Sequence, residues 1–272
     1  MVRKVLFVIL VFYVCFLSSC DIDLFGIFGS TDLDDRLKER NNFQFLSAGD
    51  MSLTLGGSYS FIVISDLHIL NGDTRGLEKL KDITDNDSEI KFLVFNGDIT
   101  QCGYRQDLRE FIKIAGTLDV PCYPVIGNHD IFQNNWSVWK ELIGSTCYRI
   151  NGDTATLLIM DSANAYFGND QLNWLERELR NTGGRVFVFS HVNLFVSSPI
   201  DRYHFTDTRE RARVLSILKG RCDAMFMGHL HHQQVNEAGG VKYITVENYR
   251  DNRTYCRVDV TATGISWEIK KL

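Results

Sequence analysis

Five short polar clusters hold the residues able to do chemistry. They are Asp66-Leu67-His68, Gly97-Asp98, Gly127-Asn128-His129-Asp130, Ser190-His191 and Gly228-His229-Leu230-His231. A lone Asp or His in such a place is more often a turn or cap residue than a ligand. The five together read differently. Their side chains are imidazoles, carboxylates and one amide, with no Cys among them. That mixture suits intermediate first-row divalent ions such as manganese, iron or zinc. Two such ions held about 3.5–4 Å apart need a shared anionic ligand. A carboxylate offers two oxygens for that task, and Asp98 is the candidate bridge.

Each cluster ends an apolar run. Phe61 to Ile64 leads into Asp66, and Lys91 to Phe95 leads into Asp98. Tyr123 to Ile126 precedes Asn128, Arg185 to Phe189 precedes His191, and Ala224 to Met227 precedes His229. All have the length and composition of buried strands. Helical spacing lies between them. Arg105 to Leu118 carries Leu108, Phe111, Ile112 and Ala115, Asn169 to Arg180 carries Leu172, Leu175 and Leu179, and Arg209 to Lys219 carries Val214, Ile217 and Leu218. Strands alternating with helices imply crossover connections and a largely parallel sheet. Ligands gather at the carboxyl ends of such strands. The last three runs, Val241 to Val246, Tyr255 to Val260 and Ile265 to Ile269, read as a strand meander. The sum is an α/β layered domain with an extra β layer. Trp136 and Trp139 fall at helical spacing and are expected in the core.

The order Asp-x-His, Gly-Asp, Gly-Asn-His-Asp, His, Gly-His-x-His resembles the signature of the calcineurin-like metallophosphoesterases. The resemblance spans roughly Tyr59 to Leu272. It implies an α/β fold of four layers, α/β-β/α, in which two mixed sheets are flanked by helices. It also implies ligand roles. Asp66, His68 and His231 bind the first divalent ion, Asn128, His191 and His229 bind the second, and Asp98 bridges both. His129 stays off the metals and faces the substrate as catalyst. Asp66 and Asp130 are placed to orient His129 or the ligand imidazoles. The reaction implied is hydrolysis of a phosphate ester by in-line attack of a metal-bridging hydroxide, with His129 protonating the leaving oxygen or stabilising the transition state.

Within the family, Gln101 stands where the purple acid phosphatases have an iron-binding Tyr, and Tyr104 lies three residues later. That departure, with His68 in the first motif, argues against the purple acid branch. Asp-x-His, Gly-Asp-Ile-Thr-x-x-Gly, Asp161-Ser162 and Gln171-Leu172-x-Trp174-Leu175 are similar to the cyclic-nucleotide phosphodiesterase branch. A phosphodiesterase is therefore favoured over a phosphomonoesterase. A third reading is a silent binding lipoprotein that kept the fold. The stretch Asn193 to Thr208, with His204, is either a substrate-facing loop or an ordinary connection, and His232 suits a solvated surface.

The 272 residues are 44% hydrophobic, enough to bury a sizeable core. The net charge of −5 gives no footprint for gripping a phosphate backbone along its length, so a nucleic-acid partner is not expected. At the N-terminus, Arg3 and Lys4 precede an apolar or aromatic run from Val5 to Leu17. The run is too short for a spanning helix, which needs about 20 residues, and it suits a secretory signal. Leu17-Ser18-Ser19-Cys20 resembles a bacterial lipoprotein box. The resemblance implies a signal peptide over 1–19, lipidation of Cys20, and an extracytoplasmic, membrane-anchored protein. The alternatives are a signal cleaved elsewhere or a retained anchor. Residues 20–57 read as a spacer and domain edge, with room for one short helix in Ser30 to Phe43, and 58–272 as the catalytic domain. Cys102, Cys122, Cys147, Cys222 and Cys256 show no Cys-x-x-Cys spacing. They are expected mostly as small buried hydrophobes.

Overall fold

The computed structural model describes residues 33–47, 49–195, 205 and 207–272. In chain order the elements are α1 (Leu33–Leu37), β1 (Ser52–Leu53), β2 (Tyr59–Ile64), α2 (Lys79–Asp85), β3 (Ile90–Asn96), α3 (Arg105–Ala115), β4 (Cys122–Val125), α4 (Trp136–Leu142), β5 (Tyr148–Gly152), β6 (Ala155–Ile159), α5 (Gly168–Leu179), β7 (Arg185–Phe189), α6 (Thr208–Leu218), β8 (Ala224–Met227), β9 (Gln234–Ala238), β10 (Val241–Thr245), α7 (Tyr249–Asn252), β11 (Thr254–Thr261) and β12 (Gly264–Lys271).

Two mixed sheets stack on each other. One runs β1-β5-β6-β7-β8-β10-β9 and the other β12-β11-β2-β3-β4. The strands that end in polar clusters are divided between them. Parallel pairs β2–β3 and β3–β4 lie in the five-stranded sheet, and β6–β7 and β7–β8 in the seven-stranded one. The inner layer is apolar from both sides. The Phe61 ring stacks on Phe92 of its own sheet at 4.7 Å, and meets Phe187 at 5.2 Å and Phe226 at 5.7 Å from the other. All four rings are fully buried, each stabilising the fold by about 1.5–3 kcal/mol.

Helices cover both outer faces. On α3, Leu108, Phe111 and Ala115 turn inward, as their spacing predicts, and Gly116 caps the helix short of Leu118. Trp136 and Trp139 are buried beside them. On the other face α5 and α6 bury Leu172, Leu175, Val214 and Leu218 against the seven-stranded sheet. Asp207 begins α6 by accepting from the main-chain N–H groups of Arg209 and Glu210, which satisfies two of the helix's unpaired donors. Cys122, Cys147, Cys222 and Cys256 are buried, Cys102 is part-buried, and all five are free thiols. No helix among the described residues is long and apolar enough to cross a membrane.

Two expectations need correction. The last three runs are not one meander. β10 pairs in parallel with β8, Lys242 opposite Ala224, inside the seven-stranded sheet, and its antiparallel neighbour β9 lies in a stretch where no strand was expected. The chain then crosses through α7, and β11 and β12 form an antiparallel hairpin in the other sheet. Period-two patterning marks a strand but not its sheet. The spacer is also shorter than its residue types suggest. Leu33 and Leu37 of α1 are buried in the outer core. Between them, Arg36 makes a two-pronged ion pair with Asp161 at 2.6 and 2.9 Å, both side chains fully buried. β1 then pairs in parallel with β5. From Leu33 onward this segment is part of the domain. The signal segment 1–19 and Cys20 lie outside the described residues, as do His204 and most of its loop.

Candidate metal centre

The carboxyl ends of β2, β3, β4, β7 and β8 converge. Asp66 and His68 follow β2, Asp98 follows β3, and Asn128, His129 and Asp130 follow β4. His191 follows β7, and His229 and His231 follow β8. The distances are those of side chains aimed at common points. His231 Nε2 lies 3.4 Å from Asp66 Oδ1 and 3.2 Å from His68 Nε2. His191 Nε2 lies 3.0 Å from Asp98 Oδ2, while His68 Nε2 is 3.8 Å from that same oxygen. Potential ligand atoms within 4.8 Å of one another form three overlapping groups: Asp66, His68 and His231; Asp98, His191 and His229; and His68, Asp98 and His129. Asp98 therefore stands between the two imidazole sets, shared by two of the three groups.

The donors fit divalent ions by a second criterion. Asp66 Oδ1, Asn128 Oδ1 and His191 Nε2 are buried with no aligned hydrogen-bond partner. Leaving a buried polar atom so costs about 1–3 kcal/mol. His191 Nε2 is close to Asp98 Oδ2 yet misaligned for a hydrogen bond, as two atoms are when both point at a third. The other ring nitrogen, Nδ1, lies 3.0 Å from the Asn96 carbonyl oxygen. A carbonyl only accepts, so Nδ1 holds a proton and Nε2 is the atom left to meet an ion.

Local backbone geometry is strained to achieve this. Asp66, His68, Asp98, His229 and His231 all have φ between 48° and 73°. That left-handed region is unfavourable for residues with a Cβ, at roughly 1–3 kcal/mol each. The β2 and β3 loops are laced together across the strain: His68 N–H donates to Asp98 O at 2.9 Å, and Asp66 N–H to Gly97 O at 3.0 Å. Two glycines permit the close approach. A Cβ on Gly127 would lie 2.2 Å from Asp98 Oδ1, and one on Gly228 would lie 2.0 Å from Ser65 Oγ and 2.7 Å from Asp66 Oδ2.

Charges are tuned to match. Burial opposes ionisation of Asp98, but the His191, His129 and His68 rings around it outweigh that cost, so its carboxyl is held well below the usual range. Asp66 is lowered in the same way, chiefly by His191 and His231. Burial pushes His68 down to about 4, which keeps its ring neutral at neutral pH. His191 goes the other way. Burial disfavours its cation, yet Asp98 and Asp66 raise it to about 10. A proton there plays the part of the positive charge the carboxylates are built to hold.

Asp130 has another role than orienting imidazoles. Its carboxylate accepts from the main-chain N–H groups of Gly127 at 2.9 Å, Ile99 at 3.2 Å and Thr100 at 2.8 Å, and from the Thr100 hydroxyl at 3.0 Å. It ties the loop after β4 to the loop after β3. Three further residues support the ligands, and of these only Ser162 falls in a sequence motif, Asp161-Ser162. Ser65 Oγ reaches Asp66 Oδ2 at 2.5 Å, and Asn96 holds His191. Ser162 Oγ accepts from the main-chain N–H groups of His191 and Val192 at 3.0 and 2.9 Å. His232 is exposed, and its Nδ1 lies 2.8 Å from the carbonyl of Leu230.

Comparison with known proteins decides the family. The model of the calcineurin-like phosphoesterases matches residues 59–233, more than half of the chain. The chain belongs to that family. As a calcineurin-like phosphoesterase it is a hydrolase of phosphoester bonds, and divalent metal ions go with the fold. A curated relative from Fibrobacter succinogenes, described as a probable cyclic nucleotide phosphodiesterase, is 30% identical over 189 residues, covering 62% of this phosphoesterase and 72% of that protein. Among solved structures, the purple acid phosphatase of yellow lupin, Lupinus luteus, aligns with TM-score 0.63 at 13% identity, over 79% of this chain and 51% of that one. The chain thus spans about half the length of the lupin enzyme. A dimetal phosphatase from Danio rerio aligns with TM-score 0.57 at 15% identity, over 77% of this chain and 98% of that one. At such identities these two establish the shared fold.

Proposed function

We propose that this phosphoesterase is a dinuclear phosphodiesterase acting on a small phosphate ester. The observation that carries the reading is the convergence of Asp66, His68, Asp98, His191, His229 and His231, among which Asp66 Oδ1 and His191 Nε2 are buried with no aligned hydrogen-bond partner. Asp66, His68 and His231 would hold one ion, Asn128, His191 and His229 the other, with Asp98 shared. When bound, the ions supply Lewis acidity, acidifying water and neutralising charge on the phosphoryl oxygens.

The chain's own groups do the rest. Buried Asp66 and Asp98 supply negative charge, and His191 and His68 supply lone pairs. His129 Nδ1 lies 2.9 Å from the carbonyl oxygen of Gln101 and so keeps its proton there. That leaves Nε2 to move a proton at the leaving oxygen. The relative described as a probable cyclic nucleotide phosphodiesterase favours a diester over a monoester. Manganese, iron and zinc all suit the ligand set.

The test is metal analysis with turnover of bis-p-nitrophenyl phosphate against the mono-ester. Two ions per chain and preference for the diester are expected. Preference for the mono-ester would make it a phosphomonoesterase. Full ligands with no bound metal and no turnover would leave only the silent binding lipoprotein. The same proposal places the protein outside the cytoplasm, tethered through lipid on Cys20. Intact mass of the chain from the membrane fraction tests that part, and a mature N-terminus other than acylated Cys20 refutes it.

A further inference from the structure

Arg250 is an exposed residue on α7, in a stretch with no sequence motif. Its main-chain N–H donates to Asp66 O at 3.1 Å, and the preceding Tyr249 N–H donates to Ser65 O at 2.9 Å. The helix is therefore pinned to the end of β2, directly at a ligand. From there the guanidinium reaches Gln101, with Nη1 donating to Oε1 at 2.6 Å. Gln101 in turn contacts His129 twice. Its carbonyl oxygen lies 2.9 Å and its side-chain nitrogen 3.2 Å from the same imidazole atom, Nδ1.

We infer that Arg250 is a positioning residue for the reaction, acting on His129 through the side chain of Gln101. This rests on the reading of His129 as the group that serves the leaving oxygen. Guanidinium carries donors only, so whichever Gln101 atom faces Arg250 must be the oxygen. The amide orientation is thereby fixed, and the NH2 faces His129. With its proton on Nδ1, the ring donates to the Gln101 carbonyl, and the Gln101 amide lies against the same edge of the ring. Two groups of one residue therefore fix the plane of the imidazole and with it the aim of Nε2. Arg250 holds the Gln101 side chain at that edge. Loss of Arg250 frees the side chain to leave the ring and removes one of the two supports.

The test uses the metal-loaded protein and two diesters, one leaving as nitrophenolate and one as an alkoxide. Arg250→Ala is expected to keep both ions and KM, and to lose about tenfold in kcat on the alkoxide ester, the worth of one hydrogen bond to a charged group. Arg250→Lys should recover part of that loss. The decisive measurement is the double variant. Arg250→Ala added to His129→Ala should lower kcat no further, because the Arg acts only through the ring. Additive losses, or a rise in KM with kcat unchanged, would overturn the inference, since Arg250 would then touch substrate directly. Gln101→Leu keeps the carbonyl and removes the amide. It is expected to match Arg250→Ala, and it serves the same cycle if the latter fails to fold. The reading of His129 fails separately, if His129→Ala loses equally on both leaving groups.

Discussion

Gly228→Ala isolates how finely the backbone aims the ligands. The glycine precedes His229, and its φ is not in the left-handed region, so alanine meets no backbone penalty there. The obstacle is steric. The new Cβ would sit 2.7 Å from Asp66 Oδ2, where ordinary contact begins at 3.4 Å, so the carboxylate must retreat by about 0.7 Å (3.4 − 2.7). The Cβ would also lie 2.0 Å from Ser65 Oγ, displacing the hydroxyl that holds the same oxygen. Overpacking of this kind costs the fold roughly 1–3 kcal/mol, which a domain of this size survives. Metal geometry is less forgiving, with ligand distances held to about ±0.2 Å, and misplacement by about 1 Å reduces turnover around 100-fold. The variant should therefore fold, bind the first ion at least tenfold more weakly, and turn over about 100-fold more slowly on bis-p-nitrophenyl phosphate. Metal titration, steady-state kinetics and Tm on one preparation separate these effects. Adding Ser65→Gly, which removes the nearest clash, should restore part of the affinity. A variant with wild-type metal affinity and kcat would refute the claim that this approach sets the Asp66 position.

The remaining predictions concern protons, acid catalysis and the N-terminal segment. His191 titrates at about 10 because Asp98 and Asp66 outweigh its burial, so after chelation it carries a proton at pH 7.5 that an incoming ion must displace. Apparent metal affinity should rise with pH and level off near 10, and calorimetry in two buffers of different ionisation heat should find at least one proton released per chain; none released would contradict this. His129→Ala should retain both ions and lose about 100- to 10,000-fold in turnover, and an unchanged rate would remove its catalytic role. Arg36→Ala leaves the Asp161 carboxylate buried and unpaired, at about 3–5 kcal/mol, so Tm should fall by roughly 10 °C. A Tm within about 2 °C of wild type would show that α1 adds little to the domain.

The site was legible because its residues are few in type and tied to strand ends. Each apolar run from Phe61 to Met227 became a strand, and each polar cluster after it entered the centre. Asp130 shows the limit. Its place beside His129 in sequence suggests a contact with the ring, but a short turn after β4 points it the other way, at the N–H groups of Ile99 and Thr100. The distant supports are harder still. Ser162 and Arg250 meet His191 and Gln101 only after the sheets stack, and periodicity carries nothing about which sheet a strand joins. The helix α1 lies in the stretch expected to hold one, but its burial was not legible, because the polar and glycine-bearing residues around it hide Leu33 and Leu37.

In the two-ion reading proposed above, each ion would be gripped from both sheets: Asp66 and His68 lie with His231, and Asp98 lies with His191 and His229. The spacing of such a pair would then be a dimension of the sandwich itself. Phe61 lies five residues before Asp66, Phe189 two before His191, and Phe226 three before His229. Their rings meet in the middle layer and act as a spacer block between jaws. A smaller side chain at Phe61 would let the jaws close while leaving every ligand residue unchanged. On that reading the hydrophobic interior, remote from any substrate, would be a means of tuning which pair of ions the jaws accept.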